Sequence, residues 1–250
     1  QELLKFIKTR EKQAGLVYVR TRKDSEKLSQ TLREKNYKTT SYHAGLSAEE
    51  RRHIEKAWIR GDINFVVCTS AFGMGINKPD VRWVIHFQAP SLLSEYIQEI
   101  GRGGRDGKPA EALTLISEPT GWLDPEDKQR QKFLADKLKL QYQTAEKIIK
   151  QLPTTGNIDD LTDKFPNVAI ALSILHSSGK LRWNDPFNYT INKSGSNKKV
   201  SLNYNSGIEK INKYFSTRKC RWQFLLEAFG FFQEAQNMAC GHCDNCLKKK

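Results

Sequence analysis

Apolar positions along residues 1–116 fall into short runs that alternate between two periodicities. Ala14–Val19 is a continuous apolar run of strand length, and Asp24–Glu34 puts Leu28 and Leu32 on one helical face. Tyr37–Tyr42 is strand-like. Ala48–Arg60 follows as a helix, capped by Ser47 with Glu50 three residues on, the pattern of a capping box. Phe65–Thr69 and Trp83–Phe87 read as buried strands, Leu92–Ile100 as a helix and Ala112–Ile116 as a last strand. Strands separated by helices predict an α/β fold, with a parallel sheet covered on both faces.

The pattern then changes. Glu118–Pro125 is a polar junction bearing Pro and Gly, and Asp127–Leu152 is one or two charged helices. Ile158–Phe165 and Val168–Ser177 read as short helices, and Lys180–Asn192 as two strands around Asp185-Pro186. Helix, turn, helix and hairpin outline a winged helix. A helical connector carrying an incidental hairpin accounts for the same pattern. Ser194–Lys199 reads as a solvated loop, and residues 208–250 as two helices leading into a cysteine cluster. Three segments result: 1–118, 119–207 and 208–250.

Charge narrows the class. Lys and Arg number 41 against 28 Asp and Glu, a net charge of +13. Four metal-bound thiolates would lower this only to about +11. Such an excess points to a polyanionic partner, nucleic acid first, with a diffuse basic surface as the other reading. No apolar run is long enough to span a membrane, and no signal peptide opens the chain. With one lone cysteine, Cys68, in an apolar run and four crowded near the end, a reduced compartment suits the chain better than a disulfide framework. The expected location is cytoplasmic, nucleoid-associated if the source is bacterial.

Two stretches carry phosphate chemistry. Cys68-Thr69-Ser70-Ala71-Phe72-Gly73-Met74-Gly75-Ile76-Asn77-Lys78-Pro79 follows a buried strand, where ligands of an open α/β sheet gather. Its glycines let backbone amides approach phosphates, and Thr69 and Ser70 offer hydroxyls. Alone, this Gly-x-Gly loop is a weak signal. Gln98-Glu99-Ile100-Gly101-Arg102-Gly103-Gly104-Arg105-Asp106-Gly107 places two guanidinium forks three residues apart on a glycine-rich turn. Planar, permanently charged donors suit a transferring phosphoryl group. A surface turn held by Glu99 and Asp106 would require neither that spacing nor four glycines.

Together with Tyr42-His43-Ala44-Gly45-Leu46, these stretches resemble, in order and near-literal wording, the motifs of the second RecA-like domain of RecQ helicases in superfamily 2, over residues 1–116. Gly103 departs from the family, which usually has alanine there. The resemblance implies a RecA-like sheet in which Arg105 is the arginine finger at the γ-phosphate, Arg102 supports it and Gln98 couples the nucleotide to the cleft. It implies that Asn77 and Gly75 lie on the nucleotide side and that Thr69 and Ser70 hold a DNA phosphate. Tyr42 and His43 are expected to be structural. The sequence lacks a Gly-x-x-x-x-Gly-Lys-Ser/Thr loop and an Asp-Glu-x-His run for magnesium. ATP with Mg²⁺ is therefore expected to need a first RecA-like domain upstream of Gln1, and this chain alone should be inactive.

Cys220, Cys240, Cys243 and Cys246 are spaced Cys-x19-Cys-x2-Cys-x2-Cys. Two intervening residues let thiolates converge on one ion, and four soft sulfurs select zinc. RecQ proteins carry a similar site, with the first cysteine on a helix, here expected over Lys219–Phe229. His242 is expected to be a bystander and Cys68 a buried apolar residue. The best-known members place a winged helix after the zinc unit, whereas here the comparable stretch precedes Cys220. Lys180, Arg182 and Trp183 are its candidate DNA contacts.

The reading is thus the C-terminal part of a monomeric ATP-dependent helicase that moves 3′ to 5′ on DNA in replication, recombination or repair. Its partners would be single- and double-stranded DNA. A non-catalytic zinc-bearing DNA-binding module is the rival. An RNA helicase is a third reading, which the cysteine cluster disfavours.

Overall fold

A computed structural model describes residues 1–72, 76–116, 125–165, 167–177, 179–192 and 206–248. The chain divides into two compact units, one of Gln1–Asp127 with Gly207–Lys250 and one of Lys128–Ser206.

The first unit opens with helix α1 (Glu2–Lys8) and continues through β1 (Ala14–Tyr18), α2 (Arg22–Arg33), β2 (Thr39–Tyr42), α3 (Ala48–Arg60), β3 (Phe65–Cys68), β4 (Val81–His86), α4 (Leu93–Ile100) and β5 (Glu111–Thr114). The five strands are parallel, in the order β2-β3-β1-β4-β5. Side chains alternate across a strand, so the sheet buries two faces. Leu3 and Ile7 of α1 and Leu32 of α2 cover Val17, Phe65, Val67, Trp83 and Ile85 on one. Trp58 of α3 and Phe72 cover Leu16, Tyr18, Val66 and Val84 on the other. The expected α/β sheet with helices on both faces is present.

Local chemistry sets several boundaries. In α3, Glu50 N–H donates to Ser47 Oγ while Ser47 N–H donates to Glu50, and Gly61 closes the helix at φ +87°. Gly15 is required for another reason: a Cβ there would lie 2.1 Å from the Trp83 indole, which packs against its backbone. Helix α1 is an addition to the expected set. Its seven residues are too few to be stable alone, and burial of Leu3 and Ile7 on the sheet holds them helical.

The second unit has helix α5 (Pro125–Ile149), β6 (Thr155–Asn157), α6 (Ile158–Thr162), α7 (Val168–Ser177), β7 (Leu181–Trp183) and β8 (Asn188–Ile191). The sheet order β6-β8-β7 is antiparallel. Strand β6 was not expected, and it completes the three-stranded sheet of a winged helix behind α6 and α7. Ala145, Ile148, Leu161, Leu172, Leu175 and Tyr189 form its core. The loop expected over Ser194–Lys199, and the junction over Glu118–Pro125 apart from Pro125, lie outside the described residues.

After this unit the chain adds α8 (Ser206–Ser216), α9 (Arg221–Ala228), α10 (Phe232–Ala235) and α11 (Asp244–Leu247) to the first unit. Ile211 and Tyr214 of α8 and Leu225 of α9 pack on Leu93 and Tyr96 of α4. Among the described residues, no helix is long and apolar enough to cross a membrane.

Candidate functional site

Thr69 and Ser70 follow the carboxyl end of β3. Thr69 N–H donates to Tyr42 O at the end of β2 (3.1 Å), Thr69 is half-buried and Ser70 is exposed. Only twelve residues separate β3 from the parallel β4, so the segment must cross from one edge of the sheet to the other. Gly75, with Gly73 and Met74, lies outside the described residues; Asn77 is exposed just before β4.

The arginine turn sits at that second edge. Helix α4 runs back along the sheet and ends at Ile100. Gly104 N–H then donates to Val81 O (2.9 Å) and Asp106 N–H to Pro79 O (3.2 Å). Gly104 adopts φ +68°, and a Cβ would lie 2.7 Å from Lys108 O, so glycine is required there. At Gly103, the family's alanine would put its Cβ 3.0 Å from that of Ala110, a tight but yielding contact. Arg82 pairs with Asp106 and braces the turn from β4.

The two arginines differ in environment. Arg105 is exposed, its Nε donating to Gly101 O (3.3 Å), while Arg102 is half-buried. Burial pushes the Tyr18 phenol well up, and the Arg102 guanidinium pulls against that shift from close by. Both arginines line a small cleft with Trp58, Phe72, Ile76 and Lys78. Gln98 is exposed on α4. The structure therefore gathers Arg102, Arg105 and the Ile76–Lys78 strip, and holds Thr69 and Ser70 at the opposite edge.

Sequence reasoning missed the buried polar residues behind the turn. Glu99 is 4% exposed, with Oε2 lying 3.0 Å from Arg20 Nη2 and 2.9 Å from His86 Nε2. Burial pushes its carboxyl up, but the bonds from His86 and Arg20 win and hold it below the ordinary carboxylate range. The same burial holds His86 below its ordinary value, so the ring is neutral. His86, set in the apolar run Val84-Ile85-His86-Phe87, was the available signal. Tyr42 is structural, stacking edge-on against Phe72 and bonding Glu55; His43 is buried beside Glu26. Cys68 is fully buried.

The four clustered cysteines converge. Their sulfurs all lie within 4.8 Å of one another. Tetrahedral zinc with Zn–S of about 2.3 Å needs sulfurs about 3.8 Å apart, and Cys240 and Cys246 stand at 4.0 Å. Backbone N–H groups of Arg221, Cys240 and Cys243 donate to the sulfurs of Cys243, Cys220 and Cys240. Burial works against the Cys220 thiolate, but the amides of Gln223 and Cys240 and the neighbouring thiols hold the thiol down at about 6. Cys220 caps α9 instead of lying on it, because the helix starts at Arg221, two residues later than expected. Arg221 grips Asp244 through two bonds (2.8 and 2.7 Å), and Asn245 ties the loop to Thr217 O and Lys219 O. His242 is exposed and outside the cluster.

On the winged-helix unit, Arg182 is exposed on β7, Lys180 precedes it, and Trp183 is half-buried with its edge on Tyr189 (6.2 Å). Asp185 accepts the N–H groups of Phe187 and Asn188, which fixes the hairpin tip.

Comparison with known proteins agrees with this geometry. Residues 1–107 match the helicase conserved C-terminal domain, and residues 186–247 match the RecQ zinc-binding family. The chain is similar to RecQ helicases along nearly its whole length. An ATP-dependent DNA helicase RecQ from Synechocystis is 45% identical over 99% of this chain and 52% of its own length. A protein of the same name from Pasteurella multocida is 40% identical over 56% of this chain and 23% of its own. The chain thus spans about half the length of the first RecQ relative. Among solved structures, the E. coli DEAD-box protein SrmB bound to RraA matches 46% of this chain and 68% of its own at 29% identity and a TM-score of 0.44. The RecQ zinc-binding match and the converged thiolates both support Zn²⁺ as the metal held by Cys220, Cys240, Cys243 and Cys246.

Proposed function

We propose that this RecQ region forms one wall of the ATP site of a DNA helicase moving 3′ to 5′, the other wall being an upstream RecA-like domain that binds ATP and Mg²⁺. The observation that carries the reading is the exposed Arg105 on a turn locked by Gly104, beside a second, half-buried arginine. In phosphoryl transfer, charge spreads over the transferring oxygens, and a guanidinium aimed there stabilises the transition state more than bound ATP. Arg105 would serve as that finger, Arg102 would hold the turn, and Gln98, Asn77 and Gly75 would face the nucleotide. Thr69 and Ser70 would hold a phosphate of the tracked strand, with Lys180, Arg182 and Trp183 adding duplex contacts. Zinc supplies a structural cross-link between the four thiolates and no reaction step.

The test is steady-state ATP turnover, with saturating single-stranded DNA, by a longer protein that carries an upstream ATP-binding domain. Arg105→Ala is expected to lower kcat by about 10³-fold or more, with the KM for ATP changed far less. Arg105→Lys should recover little, because a point charge cannot reproduce the planar fork. Wild-type turnover in the alanine variant removes the finger from this reading.

A further inference from the structure

Behind the arginine turn runs a continuous line of contacts, buried from Glu99 to Tyr214 and reaching the zinc site through the more exposed Arg221–Asp244 pair. The carboxylate of Glu99 is held by Arg20 and His86, and the His86 ring lies 5.3 Å from that of Tyr96. The Tyr96 hydroxyl is 2.9 Å from that of Tyr214 in α8, both residues being buried. The Arg221 guanidinium lies over the Tyr214 ring (5.3 Å) and also donates to Tyr214 O. Arg221 in turn holds Asp244, which stands next to Cys243. Tyr96 lies two residues before Gln98 and six before Arg102 on the same short helix and its turn.

We propose that the zinc-binding segment is the positioning element of the arginine turn, and that the Tyr96–Tyr214 hydroxyl pair sets its register. The inference rests on the reading of Arg105 above only for its catalytic consequence. Helix α4 has eight residues, too few to hold itself in place. An apolar contact tolerates sliding, whereas two buried hydroxyls must meet each other or remain unsatisfied at a cost of about 1–3 kcal/mol. Slipping α4 by one residue would move its end by about 1.5 Å. A misplacement of about 1 Å at a phosphoryl-transfer group is enough to lower rate by about 10²-fold. Tyr96 and Tyr214 are therefore positioning residues, acting through the turn that carries Arg102 and Arg105.

The first measurement is amide hydrogen exchange on the zinc-loaded 250-residue chain, comparing wild type with Tyr214→Phe, which keeps the ring and removes the hydroxyl. The expected result is roughly tenfold faster exchange at Gly101–Gly104, with zinc content and exchange in β1–β3 unchanged. Chelating the zinc should give the same local signature more strongly. Unchanged exchange at the turn in Tyr214→Phe overturns the proposal, as does an equal rise throughout the sheet. The second measurement is ATP turnover by the longer protein, where Tyr214→Phe should lower kcat about tenfold and leave the KM for ATP within twofold. Faster exchange with unchanged kcat would support the positioning link and count against the finger role of Arg105, so the two failures are distinguishable.

Discussion

Glu99 Oε2 and His86 Nε2 lie 2.9 Å apart in a pocket where neither side chain is more than 5% exposed. The other ring nitrogen, Nδ1, lies 3.1 Å from the Thr114 hydroxyl. Burial lowers the histidine pKa, so below an ordinary value of about 6.5 the unfolded chain takes up a proton that the folded chain refuses. Stability from this residue is complete above that pH and is lost as the pH falls below it. Glu99, also held low, adds a second loss below its ordinary value of about 4.3. The melting temperature of wild type should therefore fall between pH 6.5 and 5 more steeply than that of His86→Gln, which keeps a donor but does not titrate. Thiolates of the zinc site titrate alike in both, so the difference between the curves is the readout. Parallel curves would exclude His86 as the titrating group.

Gly15→Ala forces a methyl into the Trp83 indole, with rigid strand backbone on one side and core on the other. Overpacking of this kind costs about 1–3 kcal/mol. Urea denaturation should show at least that loss, and Trp83→Leu in the same chain should make the added methyl far cheaper. Equal costs in both backgrounds would mean the contact is not the source.

One zinc per chain is expected by elemental analysis, and Cys243→Ser should abolish it. Asp244→Ala leaves the thiolates intact but frees Arg221, whose N–H donates to Cys243. Asp244 is half exposed, so the loss of stability should be small, about 1 kcal/mol or less. Zinc release to a competing chelator should nonetheless quicken about tenfold, as is typical when an outer support of a metal site is lost. Unaltered release would confine the Arg221–Asp244 pair to surface decoration.

DNA binding through phosphates must weaken with salt by about 0.9 log units per log unit for each phosphate neutralised. Lys180→Ala and Arg182→Ala should each lower that slope by about 0.9, whatever the DNA sequence. Fluorescence anisotropy across a salt series measures it. A slope identical to wild type in both variants would show that the hairpin does not touch DNA.

How much of this was legible in the sequence depended on whether the deciding interaction was local. Helix α3 was read to both ends because Ser47 and Glu50 cap it within four residues. Strand β6 was invisible because Thr-Gly-Asn carries no apolar alternation; pairing with β8, more than thirty residues on, makes it a strand. The cysteine spacing announced the metal site, whereas its bracing by Asp244 and Asn245 depends on tertiary placement. Spacing also made Arg102 and Arg105 look like equals. Only the fold shows one turned inward toward Tyr18 and the other left outside. The Arg20–Glu99 pair, 79 residues apart in the chain, had no sequence signature at all.

Tyr96 and Tyr214 are 118 residues apart, with the whole winged-helix unit synthesised between them. At a ribosomal rate of about 5–20 residues per second, α4 emerges roughly 6–24 s before the segment that covers it can exist. For that interval Leu93, Tyr96, Ile97 and Ile100 form a sticky face on an otherwise finished sheet. The nascent chain thus carries for some seconds an apolar surface that the folded molecule keeps covered.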